Sequence, residues 1–168
     1  MQTIIDNQEF KNKDFTVKPL DLGEYDNCQF LNCNLSAFDL SHYSFIECEF
    51  ENCNLSNITL LNTSLKSVRF INCKTIGIDF SRCNPFLLEI NFSSCQLNFS
   101  SFYQLIIKGI HYENCSLQEI DFTETNLSNA KFINCDLQGA IFENSNLSFQ
   151  IKIFNFIATC SSIITIHK

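Results

Sequence analysis

Large apolar residues recur at every fifth position of this 168-residue chain, and that period constrains its fold more than any other feature. The series runs Ile5, Phe10, Phe15, Leu20, Tyr25, Phe30, Leu35, Leu40, Phe45, Phe50, Leu55, Leu60, Leu65 and Phe70. Thr75 keeps the spacing but not the chemistry, and Phe80 restores both. The period then resumes two residues out of step at Phe92 and continues in fives to Leu147. Self-similarity at a fixed period is the mark of a solenoid.

Two positions before these central residues stand small or moderately apolar ones, among them Cys28, Cys33, Cys48, Cys53, Val68, Cys73, Cys95, Cys115, Ala130 and Cys135. Residues two apart on an extended chain share a face. Each five-residue unit therefore points two side chains inward, with the polar residue between them outward. The other two positions are rich in Ser and Asn, with Asn closing the unit at Asn12, Asn32, Asn52, Asn72, Asn114, Asn134 and Asn144. Asn tolerates left-handed backbone and can bond its own main chain, so it turns a corner without glycine. This accounts for a chain with 18 Phe but only 4 Gly and 2 Pro.

A spacing of 20 makes the columns uniform: Phe10, Phe30, Phe50 and Phe70, or Cys33, Cys53 and Cys73. A spacing of 15 would stack Phe10 on Tyr25 and Leu40. Four units per coil is the consistent choice. The expectation is an all-β fold, a quadrilateral parallel β-helix of about seven coils over residues 1–147, roughly 34 Å long. Residues 81–91 hold the register slip. Pro85 cannot donate to a ladder there, and Phe86 and Leu87 are left as either a bulge at a corner or an exposed apolar contact. Residues 148–168 read as an apolar, non-repeat tail that caps the open end or makes a dimer contact.

Units such as Cys33-Asn-Leu-Ser-Ala, Cys53-Asn-Leu-Ser-Asn, Thr125-Asn-Leu-Ser-Asn and Cys135-Asp-Leu-Gln-Gly resemble the pentapeptide-repeat family, in register over residues 3–147. That resemblance implies a right-handed coil. The stretch Phe70-Ile-Asn-Cys-Lys-Thr-Ile-Gly-Ile-Asp-Phe80 is similar to one in the quinolone-resistance (Qnr/MfpA-like) group. The group resemblance implies a non-catalytic DNA mimic that occupies the DNA site of gyrase or topoisomerase IV, protects against quinolones, and dimerises through its C-terminal end. The chain has no long projecting loop in its early coils, unlike the Gram-negative members of that group, and its tail departs from theirs. The alternative is a generic scaffold for another protein–protein interaction.

Charge narrows the partners. A net charge of −7 and a pI near 4.8 argue against direct nucleic-acid binding through a basic surface. The face centred on Leu20, Leu40, Leu60, Phe80, Phe102, Phe122 and Phe142 carries Asp21, Asp39, Asp79, Asp121, Glu124 and Glu143 against Arg82. A one-sided acidic stripe is what a DNA mimic needs, and it is also what a merely solvated face looks like. The six acids are the expected partner-binding residues.

No catalytic, cofactor-binding or metal-binding residues are expected. The ten Cys show no C-x-x-C or Cys/His cluster, and nine occupy the inward small position, where free Cys acts as a small hydrophobe. His42, His111 and His167 lie far apart in the sequence, and no Ser/His/Asp set assembles. No basic n-region precedes an apolar stretch, and no run of roughly 18 apolar residues occurs. The expected location is cytoplasmic, with reduced thiols and no membrane contact.

Overall fold

The computed structural model describes residues 3–147 and the backbone of 150–152. Its strands are β1 (Thr3–Asp6), β2 (Glu9–Lys11), β3 (Gly23–Asp26), β4 (Gln29–Leu31), β5 (Ser44–Ile46), β6 (Glu49–Glu51), β7 (Ser64–Lys66), β8 (Val68–Ile71), β9 (Ile90–Ser93), β10 (His111–Glu113), β11 (Lys131–Ile133) and β12 (Gln150–Lys152). Every pairing is parallel. One face is the four-stranded sheet β1-β3-β5-β7, and the next is the eight-stranded sheet β2-β4-β6-β8-β9-β10-β11-β12. The other two faces are ladders of single bridges, such as Asn34 to Asn54 and Ser101 to Asp121. Together the four faces wind a β-solenoid of about seven turns.

The coil period is the expected one. Phe10 pairs with Phe30, Phe30 with Phe50 and Phe50 with Phe70, each 20 residues on. The rings stack face to face, with centroids 4.8, 4.5 and 5.3 Å apart. Corners form as the asparagines require. The residue two after the centre adopts positive φ at most corners, for example Asn32 at 53°, Asn52 at 54° and Asn134 at 53°, with Val17, Leu22 and Arg82 as exceptions. Their amides then ladder between coils, with Asn72 Nδ2 donating to Asn52 Oδ1 at 2.7 Å.

The inward small column holds hydrogen-bond donors as well as volume. Cys53 Sγ donates to the Phe30 carbonyl at 3.2 Å, and Thr63 Oγ1 donates to Leu40 O at 2.7 Å. Thr125 Oγ1 and Tyr43 Oη do the same to Phe102 O and Leu20 O. Each of these bonds reaches 23 residues back, to the coil beneath. A thiol and a hydroxyl are therefore interchangeable here, because both donate to a carbonyl of the coil beneath; Leu40 O and Phe102 O accept a backbone N–H as well. Thr75, the apparent break in the central column, is buried and donates to Gln96 O at 3.0 Å.

The register slip is a two-residue bulge. Across it the pairing step lengthens to 22, Phe70 facing Phe92 and Asp79 facing Ser101. A 3-10 turn at Phe80–Arg82 replaces one corner, positive φ returns on schedule at Leu87, and the next positive φ comes seven residues on at Ser94. The bulge also leaves Phe86 and Leu87 66% and 63% exposed, with Lys66 Nζ 5.7 Å from the Phe86 ring centroid. Bulge and apolar projection are thus one feature.

The two ends are less regular than the middle. In the first coil Ile5 and Phe10 are only partly buried, and Ile4, Val17 and Leu22 are exposed. At the other end the ladder runs past Leu147. β12 pairs Ile151 with Phe132, a step of 19 residues, so one more strand is laid down a residue short of the period. The remainder of the 148–168 tail lies outside the described residues, as does Cys160. No helix among the described residues is long and apolar enough to cross a membrane.

Candidate protein-binding face

The Leu40 face positions its acids through corner chemistry. Asp39 bridges to Thr59, Asp79 to Ser101, and Ser101 to Asp121, so these three aspartates stand in one column with one residue between each pair. Two coils separate successive members, roughly 10 Å. Each carboxylate also builds its own corner. Asp39 Oδ1 accepts from the Ser41 N–H at 2.9 Å and from the Ser41 hydroxyl. Asp79 Oδ1 accepts from the Ser81 N–H at 3.1 Å, and Asp121 Oδ1 from the Thr123 N–H at 2.8 Å. Asn34, Asn54 and Asn126 hold the same position on other faces and accept the same bond. Either Asp or Asn can therefore make the turn, and only the charge differs.

The hydrogen bonds to the Ser41 hydroxyl and N–H hold the Asp39 carboxyl below its ordinary range, with His42 adding a smaller favourable charge. Asp79 faces Arg82, Nε to Oδ2 3.8 Å, with both side chains more than half exposed. Asp121 is half-buried and also accepts from Ser101 Oγ at 3.4 Å. Glu124 sits at a corner with φ of 56° and accepts from Gln104 Nε2 at 2.6 Å. Asp21 and Glu143 are exposed at the two ends of the same face. The structure thus brings Asp39, Asp79 and Asp121 into line and leaves the other three beside that line. Lys18 is also exposed on this face in the first coil, so Arg82 is not its only cation.

Sequence reasoning missed the apolar residues among these acids. Leu61, Tyr103 and Ile141 occupy outward positions on this face and are 44%, 40% and 42% exposed. Large apolar side chains in slots that are elsewhere polar would have flagged them. Acids interleaved with Tyr and aliphatic residues suit a protein surface better than a purely electrostatic one.

His42 and His111 are exposed on separate faces. Among the described residues, no group of three or more His, Cys, Asp or Glu side chains is disposed to hold a metal ion. The space between Leu40, Phe50 and Phe80 is only about 10 Å³, whereas the first coil opens into a cavity of about 620 Å³ lined by Ile5, Phe10, Phe15, Leu20 and Tyr25.

Two family models match the chain: a pentapeptide repeat region over residues 24–102, and pentapeptide repeats (8 copies) over residues 113–148. No curated protein matches it. Among solved structures, QnrB1, a plasmid-mediated fluoroquinolone resistance protein, is 16% identical over 89% of this chain and 94% of its own, with a TM-score of 0.45. HetL, a pentapeptide repeat protein involved in heterocyst differentiation regulation from the cyanobacterium Nostoc sp. strain PCC 7120, is 14% identical. It matches 85% of this chain and 87% of its own, with a TM-score of 0.32.

Proposed function

Because the chain belongs to the pentapeptide-repeat family, we propose that it acts as a non-catalytic docking rod whose Leu40 face binds a basic groove on a protein partner. The reading extends to a type II topoisomerase, gyrase or topoisomerase IV, in the cytoplasm. The chain occupies the DNA site there and protects against quinolones; QnrB1 is described as a fluoroquinolone resistance protein. The observation that carries the reading is the column of Asp39, Asp79 and Asp121 along one face of the rod. Negative charge repeated along a rod is the feature a DNA-binding groove recognises, and it steers encounter over a Debye length.

The test is gyrase supercoiling with and without ciprofloxacin as the purified protein is titrated in. The Asp79→Asn, Asp121→Asn double variant is the comparison, because Asn retains the corner bond and removes only charge. Binding and protection should fall several-fold in the variant and should weaken as salt rises. Equal binding by both proteins would reduce the stripe to a solvated face.

A second reading has its own observation. The acids stand where a corner requires Asp or Asn, so their placement is also accounted for by folding alone. The rod is then a generic scaffold for another protein, held through Leu61, Tyr103 and Ile141. Absence of any gyrase binding by the wild type would favour it.

A further inference from the structure

Both sheets of the rod have an edge at the first coil, β1 in one and β2 in the other. In later coils the equivalent edge is paired. The N–H groups of Gln29, Glu49 and Arg69 donate to the coil beneath, at Gln8 O, Cys28 O and Cys48 O. Glu9 holds the same position in β2, where no described strand lies beneath. Phe10 pairs upward with Phe30, and main-chain groups alternate between the two edges of a strand. Those of Glu9 and Lys11 therefore turn towards the open end, as a template for another strand. A second observation is apolar. The ring of half-buried Phe10 ends the stack that runs up through Phe30, and it borders the cavity of about 620 Å³ at this end.

Charge supplies a third observation. Glu9 and Lys11 flank Phe10 with opposite signs, both exposed, and neither makes an ion pair among the described residues. Two copies that meet end to end across a two-fold axis lay their first coils against each other antiparallel. With the axis at Phe10, that ring faces its own symmetry mate, and Glu9 of each copy faces Lys11 of the other. In an antiparallel pair the residues on either side of a non-hydrogen-bonded pair exchange both N–H···O bonds. Glu9 and Lys11 are the residues whose main-chain groups are free to do so. Backbone, ring and charge select the same register, because β2 is complementary to itself. We propose that the chain forms a two-fold, head-to-head dimer through its first coil, with β2 paired to β2 of a second copy.

In a coil of four faces the Phe10 face stands opposite the Leu20 face. The same axis therefore carries the Leu20 face onto itself and lays the Ile5 face on the Phe15 face of the second copy. One like-charged meeting results, Asp6 on Asp14, and Lys13 stands next to it in the chain. The acid columns of the two copies then lie on one side of a rod of twice the length. The dimer itself does not depend on what that face binds.

The experiment is analytical ultracentrifugation of the full chain over a concentration series, with circular dichroism as the check on folding. The wild type should associate to a dimer. Lys11→Glu leaves only acids across the axis and Glu9→Lys only cations, so each should weaken association about tenfold or more. Both should stay folded, since the two side chains are exposed. Mixed in equal amounts, the two variants should form a heterodimer, each supplying the charge that the other lacks. The Glu9→Lys, Lys11→Glu double variant should dimerise as the wild type does. The proposal is overturned if the wild type stays monomeric at high micromolar concentration, or if mixing the single variants restores nothing. It is equally overturned if both single variants dimerise as tightly as the wild type, which would put the interface elsewhere, as at the C-terminal end.

Discussion

The ring of Phe50 lies face to face on that of Phe30, centroids 4.5 Å apart and planes 10° from parallel. Phe70 covers its other side at 5.3 Å, so Phe50 has no route to solvent. Phe50→Ala should cost about 3–5 kcal/mol, and Phe50→Asp should not fold, because no partner for the charge is in reach. Thermal melts decide this, and wild-type melting of a soluble Phe50→Asp protein would refute the stacking register.

This column was fully legible in the sequence, because a central residue every five positions at a coil of 20 leaves no other partner for Phe50. Its neighbour was not. Glu49 looks like an interchangeable outward acid, yet Arg69 in the next coil reaches it, Nη2 to Oε2 2.8 Å and Nε to Oε2 3.0 Å. The pairing depends on side-chain reach across coils rather than on period. The Arg69 side chain is 64% exposed, so Glu49→Gln should cost only about 1 kcal/mol or less. The salt dependence of that difference is the check.

Tyr112 continues the Phe column between Phe92 and Phe132, fully buried, and its hydroxyl has no hydrogen-bond partner among the described residues. Burial also pushes its phenol well above the ordinary value. An unpaired buried hydroxyl carries an uncompensated desolvation cost of about 1–3 kcal/mol. Tyr112→Phe should therefore raise the Tm. A fall would show that the hydroxyl has a partner.

The corner asparagines make an opposite prediction about glycine. At Asn52, with φ of 54°, a β-branched residue meets the left-handed penalty of about 1–2 kcal/mol. Glycine meets none but loses the amide ladder to Asn72. Asn52→Val should melt well below Asn52→Gly in denaturant titrations. The reverse order would mean that the amide ladder outweighs the backbone.

Asp39 is held below its ordinary pKa by the Ser41 bonds. A depressed folded-state pKa contributes stability that is present above the unfolded value and is lost as pH falls through the folded one. The side chain is exposed, so its share in acid unfolding is small. Carboxyl-resolved NMR titration should place Asp39 low and move it up in Ser41→Ala. No movement would show that the hydroxyl bond is not formed in solution.

The thiols should react slowly. Burial pushes Cys48 and Cys83 up to about 12, and all nine described cysteines are buried. A bulky aromatic disulfide reagent should count few thiols in the native protein and nearly all ten in denaturant. Prompt native reaction of most of them would contradict the packing.

How much else the sequence disclosed follows the same division. Column membership, corner residues and the acid column are properties of period, and they appear in the structure as read. The slip at 81–91 was also legible as a break in that period, with a bulge as one of its two readings, whereas the extra strand at Gln150–Lys152 and the apolar residues among the acids are departures that period does not mark. No repeat can announce the conformation of its own exceptions.

Because each strand hydrogen-bonds only to the coils above and below, a pull on the two ends of this rod would meet its ladders end-on. Coils would detach in sequence from an end instead of shearing together. Each full detachment frees about 20 residues, roughly 70 Å of chain, and the one spanning the bulge frees slightly more. Stretched between two bead surfaces, the molecule should therefore lengthen in a staircase of near-equal steps, with one tread wider than the rest.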